Sequence, residues 1–438
     1  MIRRVLAAVI ALGAVVAAVV TGSAVSSQPV PAPSATGVQV TPARQDVACP
    51  GPLVTPSGVS GTDPELGGAA TGVSTATFLA GETRTVGAGE ASDAVVGSTV
   101  ESVRGGDITG LAALTCTAPV TDQWVLAGST AIGNSARLVL TNPSLAAVEV
   151  TVTAFGEIGE LETRQVALGP DAQAEVLLEG VAVDVSALAV HIESTGTGVV
   201  AALQDSRLSG FQPFGTDWAT ASAVGTDLAI PGVGTDGLDT QTASVRILAP
   251  QGATVRLGLS TPDGAAVWEG VAALALEPGV AVDVAVPAVP LGTVTVSADA
   301  PVAASALMTR TRPAVSGVEG DTAQDLRWIP AVPAADPNER AAVTVGYDET
   351  VVVYAQRRGT LTLTDAEGNE VGSVALAAGA TGTIPVTVPP GTTLVGSGPY
   401  AWVITAASGD LISAMAPTRT TIDPVEVQVR QRDYVPSP

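Results

Sequence analysis

The chain holds a single histidine, His191, and two cysteines, Cys49 and Cys116, among its 438 residues. Much of protein chemistry near neutral pH runs through such residues, so their placement bounds what this chain can do. A zinc centre needs four clustered donors or three with an open position, and one histidine distant from two separated cysteines does not provide them. A Ser-His-Asp triad could draw only on His191, and no G-x-S-x-G nucleophile elbow occurs. In "LAVHIEST" the histidine lies between Val190 and Ile192 and shares a strand face with Ala189 and Glu193, which predicts a solvent-facing strand residue instead of a base or ligand. There is no lysine, which removes phosphate-binding loops, Schiff bases and Ser-Lys dyads together. No catalytic residue, metal or cofactor is expected.

Three weaker signals stand beside these. Asp and Glu total 42, enough for a glycosidase-type carboxylate pair, but most fall in turns, where Asp stabilises the bend itself. The turn "GVGTDGLDT", with Asp236 and Asp239, lacks the full spacing of a calcium loop. Trp124, Trp218, Trp268, Trp328 and Trp402 are spread along the chain; exposed in a row they would contact glycan by stacking on sugar rings, and buried they would be core. The net charge of −23 disfavours nucleic acid and anionic lipid surfaces as partners.

The elements that must position these residues read as strands. Val148, Val150, Val152 and Ala154 alternate with Glu149, Thr151 and Thr153, the period of a half-buried strand, and the pattern returns around Val255, Leu257 and Leu259 and around Leu361 and Leu363. Each run then turns at a glycine, Gly159, Gly264 or Gly368, as a β-hairpin does. A leucine follows at Leu168, Leu276 and Leu376, before a turn and another alternating strand. Three stretches ending in arginine, Gly196 to Arg207, Asp299 to Arg310 and Ser408 to Arg419, are expected to be equivalent closing strands, with Val200, Val302 and Ile412 superposed. "WVLAGST", "DLAIPGV" and "DLRWIPAVP" are expected to open the copies. Many short strands with frequent turn signals predict an all-β protein of tandem β-sandwiches, immunoglobulin- or fibronectin-like. The expected modules are residues 116–212, 213–318 and 319–430, with 47–115 packing as added strands on the first and 431–438 as a tail.

The first 27 residues place Arg3 and Arg4 before an apolar run from Val5 to Val20 and small residues around Gly22, Ser23 and Ala24, a cleaved signal peptide or an uncleaved anchor helix. Either form sends the remainder outside the membrane, so membrane contact is expected only through this segment. Residues 28–46 are rich in Pro, Ser and Ala and read as an extended spacer. Outside the cytoplasm an isolated pair of cysteines most often forms one disulfide, which is the reading preferred here to two free buried thiols.

"VACPGP", "LTCTAPVTDQWVLAGSTAIGNSARLVLTNPS" and "AVDVSALAVHIESTGTGVVAALQDSR" resemble an actinobacterial family of secreted or membrane-tethered envelope proteins of unknown function. The resemblance rests on the paired cysteines, on Trp124 followed by a Gly-rich strand and on the turn at Asn142 and Pro143, and it covers most of residues 45–420. Genes of that family often stand beside a large membrane glycosyltransferase, which implies work on envelope glycopolymers and supplies no catalytic residue. The expected function is therefore a non-enzymatic, extracytoplasmic scaffold or accessory factor of the cell envelope, with an envelope protein or glycopolymer as partner. A glycan-binding β-sandwich array is the alternative, and a glycosidase-type hydrolase a distant third.

Overall fold

The computed structural model describes residues 35–40, 47–50, 53–55, 68–69, 73–80, 96–103, 108–238, 240–314, 320, 322–333, 340–346, 348–419 and 425–430. The signal or anchor segment, most of the spacer, the tail at 431–438 and Asp239 lie outside the described residues. Among the described residues no helix is long and apolar enough to cross a membrane. The chain forms two compact units, residues 1–42 with 423–438, and residues 43–422. In the first unit, β1 (Ala35–Val40) pairs antiparallel with the strand Val425–Arg430, Val38 opposite Val427.

The second unit begins with a short ladder of β2 (Val54–Thr55) and β3 (Gly68–Ala69), followed by a three-stranded antiparallel sheet of β4 (Val73–Ala80), β5 (Val96–Val103) and β6 (Gly110–Thr115). Eight strands come next: β7 (Asp122–Val125), β8 (Asn134–Asn142), β9 (Val148–Gly156), β10 (Gly159–Leu168), β11 (Ala172–Leu177), β12 (Ala189–Ser194), β13 (Val200–Ser209) and β14 (Gln212–Thr220). They form two sheets in the orders β10-β9-β12-β7 and β11-β8-β13-β14. Alternation drives the pairing. In β9, Val148, Val150 and Val152 are buried between the sheets while Glu149 is exposed.

The pattern repeats with β15 (Val224–Val233), β16 (Gln241–Leu248), β17 (Ala253–Thr261), β18 (Gly264–Ala266), β19 (Leu274–Leu276), β20 (Ala281–Ala285), β21 (Gly292–Pro313), β22 (Thr322–Pro330) and β23 (Val332–Pro333). Here one long strand serves both sheets: the first half of β21 pairs with β15 and β17, the second half with β16 and β22. A third set comprises β24 (Arg340–Thr344), β25 (Asp348–Ala355), β26 (Gly359–Thr364), β27 (Glu370–Leu376), β28 (Ala380–Val386), β29 (Thr393–Ser397), β30 (Tyr400–Ser408), β31 (Leu411–Met415) and β32 (Thr418–Arg419). Its sheets run β27-β26-β29-β24-β32 and β28-β25-β30-β31.

The three sets share register as well as order. The hairpins turn at the predicted glycines; Leu168 and Leu376 end the return strands, and Leu276 ends β19, which continues along β17 after β18. Beyond them Val176, Val284 and Ile384 face Leu138, Val245 and Val351, which in turn face Leu203, Ala306 and Ile404. The third arginine-terminated stretch does not fit this register. Val200 lies on β13 and Val302 on the matching half of β21, but Ile412 lies on β31, one strand later, and the true counterpart is β30. Likewise "DLRWIP" closes the second sandwich as β22 instead of opening the third, and β14 carries the first sandwich past residue 212. Short motifs misled here because hydrogen-bonding partners, which no local motif encodes, decide which strand a segment becomes.

Residues 96–115 also differ from expectation. Leu53, Val103, Ile108, Ala112 and Leu114 bury against Val139, Ala202 and Trp218 of the first sandwich, while Val100, Leu111 and Ala113 join the core of the third. The sheet is a wedge between two modules. A disulfide between Cys49, ahead of β2, and Cys116, just after β6, has Cα atoms 4.6 Å apart, with Ala48 and Thr117 exchanging backbone hydrogen bonds beside it.

With a sequence separation of 67, the bridge removes roughly 4 kcal/mol of loop entropy from the unfolded chain. Cys116→Ser is expected to lower stability by about that amount in urea titrations. Hydrogen exchange should quicken in β5, β6 and the β24 strand that β5 touches.

Candidate functional site

Two places bring functional side chains together, one buried and one on the surface. The buried one lies where the sheets of the three sandwiches meet. Two residues before Ala219, Ile329 and Met415, which share a rung of the three closing strands, stand Asp217, Arg327 and Ser413. Asp217 is fully buried and gathers three segments onto β14: its Oδ1 accepts from Ser413 Oγ at 2.8 Å and from the Ala113 amide at 3.4 Å, and its Oδ2 accepts from the Trp328 amide at 2.8 Å. The strands approach closely enough that Gly215, with φ at 102°, leaves no room for a Cβ, which would sit 2.6 Å from the Leu326 nitrogen.

Around Asp217 the seam is closed by charge-assisted hydrogen bonds. The Trp328 indole, 1% exposed, donates to Asp205 Oδ2 at 2.9 Å, and Arg207 donates to the same carboxylate. Arg246 of β16 lies 5.0 Å from the Trp328 ring centroid. Its guanidinium donates to both oxygens of Asp283 and to the carbonyls of Gly128, Leu188 and Ser186 in the loops of the first sandwich. Asp325 Oδ2 accepts from the Ile412 amide at 2.6 Å. Arg327 donates to the Gly232 carbonyl at 2.6 Å.

Burial sets the electrostatics. It pushes Asp217 well above the ordinary carboxylate range, lifts Asp325 to about 8 and Glu101 to about 7, and lowers Arg327 to about 10. A second seam joins the second and third sandwiches, where the Thr381 hydroxyl lies within 3.1 Å of the Ser260 carbonyl, Ser260 Oγ and Thr293 Oγ1, and Ser260 Oγ donates to the Gly379 carbonyl.

The surface site is centred on His191. On β7 and β12, Asp122 and Trp124 face Glu193 and His191 across the ladder, and alternation turns all four to the outer face. His191 Nε2 lies 3.1 Å from Asp122 Oδ1 and Nδ1 lies 3.9 Å from Glu193 Oε2. Its ring stacks on Trp124 at 4.3 Å with 13° between planes. His191 takes the outward strand position read from the sequence, but its side chain is only 18% exposed because the ring lies on Trp124, and Asp122, far away in the chain, gave no sequence signal of its proximity.

The predicted site residues fall out as follows. Cys49 and Cys116 are bonded. Trp124, Trp218, Trp328 and Trp402 are buried and Trp268 is half-buried against the second core, so the five rings do not form a sugar-stacking row. The outer rings are covered because the modules pack on one another, which a single-module alternation pattern does not reveal. Asp236 accepts from the Leu238 amide at 2.9 Å and from Thr240, a turn-stabilising role that holds its carboxyl below the usual range. Of the repeated arginines, Arg207 binds Asp205 and Arg310 binds Gln241. Asp205, Asp217, Arg246 and Asp325 were missed by sequence reasoning. An Asp or Arg in the middle of an apolar strand was the available signal.

Fold and junction together define a protein of tandem, interlocked β-sandwiches. The chain belongs to a family of unknown function, DUF5719, whose sequence profile matches residues 68–389. None of the curated proteins matches it. A solved structure described as a biofilm associated protein, BSP domain, is similar at 10% identity with a TM-score of 0.14, over 80% of this chain and 66% of its own length.

Two outcomes follow from the junction. Arg246→Ala strips three carbonyls and Asp283 of their donor and should cost roughly 3 to 5 kcal/mol in denaturant titrations. Asp325 binds its proton more tightly folded than unfolded, so its contribution is full below its ordinary 3.8 and is lost as pH rises through about 8. Stability measured across that window should fall, and Asp325→Asn should flatten the slope.

Proposed function

We propose that this protein is a non-enzymatic scaffold or accessory factor on the outer side of the cytoplasmic membrane, serving envelope glycopolymer assembly and contacting an envelope protein or the polymer itself. The observation that carries the reading is the buried junction at Asp217, Trp328 and Arg246, which ties three sandwiches and an N-terminal sheet together through hydrogen bonds. Such a body holds surfaces at fixed spacing, the property a scaffold needs. The disulfide suits an oxidising compartment, and the apolar N-terminal run behind Arg3 and Arg4 suits export. Burial of four of the five tryptophans takes support from a glycan-binding array.

The test is deletion of the gene in its native host with complementation. Wild-type protein should restore envelope glycopolymer, Arg246→Ala should restore it poorly, and crosslinking of intact envelope should join the wild-type protein to a membrane glycosyltransferase or its polymer. Release of sugar from that polymer by the purified protein would overturn the non-enzymatic reading, and unchanged polymer in the deletion strain would overturn the envelope role.

A further inference from the structure

We propose that Asp122, His191 and Glu193 form a surface site for a divalent transition ion, with zinc as the best fit. One ligand atom from each of the three lies within 4.8 Å of the others. The closest pair, His191 Nε2 and Asp122 Oδ1 at 3.1 Å, is already near the ligand-to-ligand spacing of about 3.3 Å set by a tetrahedral ion with bonds of about 2.0 Å. Glu193 stands nearer the other ring nitrogen, Nδ1, at 3.9 Å and must swing round to share an ion held at Nε2; its side chain is 58% exposed and that of Asp122 is 67% exposed, so neither carboxylate must leave a packed position to reach the ion.

The donor holding the rest in place is the imidazole. Its side chain is 18% exposed and its ring lies flat on Trp124, which is itself packed on Phe155 with centroids 5.2 Å apart. Trp124 and Phe155 belong to a cluster with Leu248, Ala281 and Ala303 of the second sandwich. The ring orientation is therefore set by the seam between two modules, a preorganisation that a floppy surface ion pair lacks.

The donor set selects the ion. One imidazole nitrogen with two carboxylate oxygens suits borderline ions such as zinc, whereas calcium and magnesium favour all-oxygen shells of six or more ligands. Three protein ligands leave the fourth tetrahedral position to water or to a donor from a partner.

The experiment uses the chelator-treated, dialysed, disulfide-intact protein titrated calorimetrically with zinc chloride, with calcium chloride as control. One zinc per chain should bind with micromolar affinity. His191→Ala and Asp122→Asn should each weaken binding by about tenfold or more. Glu367→Gln, in an exposed turn of the third sandwich, should leave it unchanged. Urea midpoints of all variants distinguish lost ligands from lost folding, and Asp122→Asn supplies the answer if His191→Ala is unfolded. Absence of a saturable one-to-one site, tighter binding of calcium than zinc, or wild-type affinity in the folded His191→Ala or Asp122→Asn protein would overturn the proposal.

Discussion

The carboxylate of Asp217 is the point through which the second unit is organised. A buried carboxyl has a large desolvation cost, and it persists only where hydrogen-bond donors converge on it. Here they come from β6, β22 and β31, so the three sandwiches and the N-terminal sheet must all be in place before the group is satisfied. Each sandwich has an apolar core, to which neighbouring elements add a few side chains. The polar junction adds a demand on relative placement that apolar contact, being non-directional, does not make.

Arg246 and Trp328 extend this constraint along the first seam. A planar guanidinium with five donors can bind Asp283 on one edge and three loop carbonyls on the other, and can stack on an indole at the same time. Lysine, absent from this chain, offers neither the fork nor the stacking plane. The same packing buries Trp124 and fixes His191 above it, so a surface feature owes its geometry to an interface between modules.

Repetition and divergence meet at one rung. Asp217, Arg327 and Ser413 occupy corresponding positions on the closing strands of sandwiches whose hairpins, leucines and strand order agree. There Ser413 donates directly to Asp217, while Arg327 donates to the Gly232 carbonyl. Copies of one fold have become parts of one body by differing at the place where they touch.

Strand alternation, the glycine-turned hairpins and the leucines at 168, 276 and 376 were legible in the sequence, because period-two patterning and turn chemistry are local consequences of backbone geometry. The disulfide was legible too, from an isolated pair of cysteines behind an expected export signal. The seams were not. Whether Ile412 belongs to the counterpart of β13 or of β14, whether Trp218 and Trp328 face solvent or a neighbouring module, and whether Asp122 meets His191 all depend on pairing between distant segments. The sequence by itself determined three sandwiches' worth of strands and where they turn. Only the tertiary structure decided how those strands pair and which outer faces are covered, because hydrogen bonding and burial between segments far apart in the chain are properties of the packed whole.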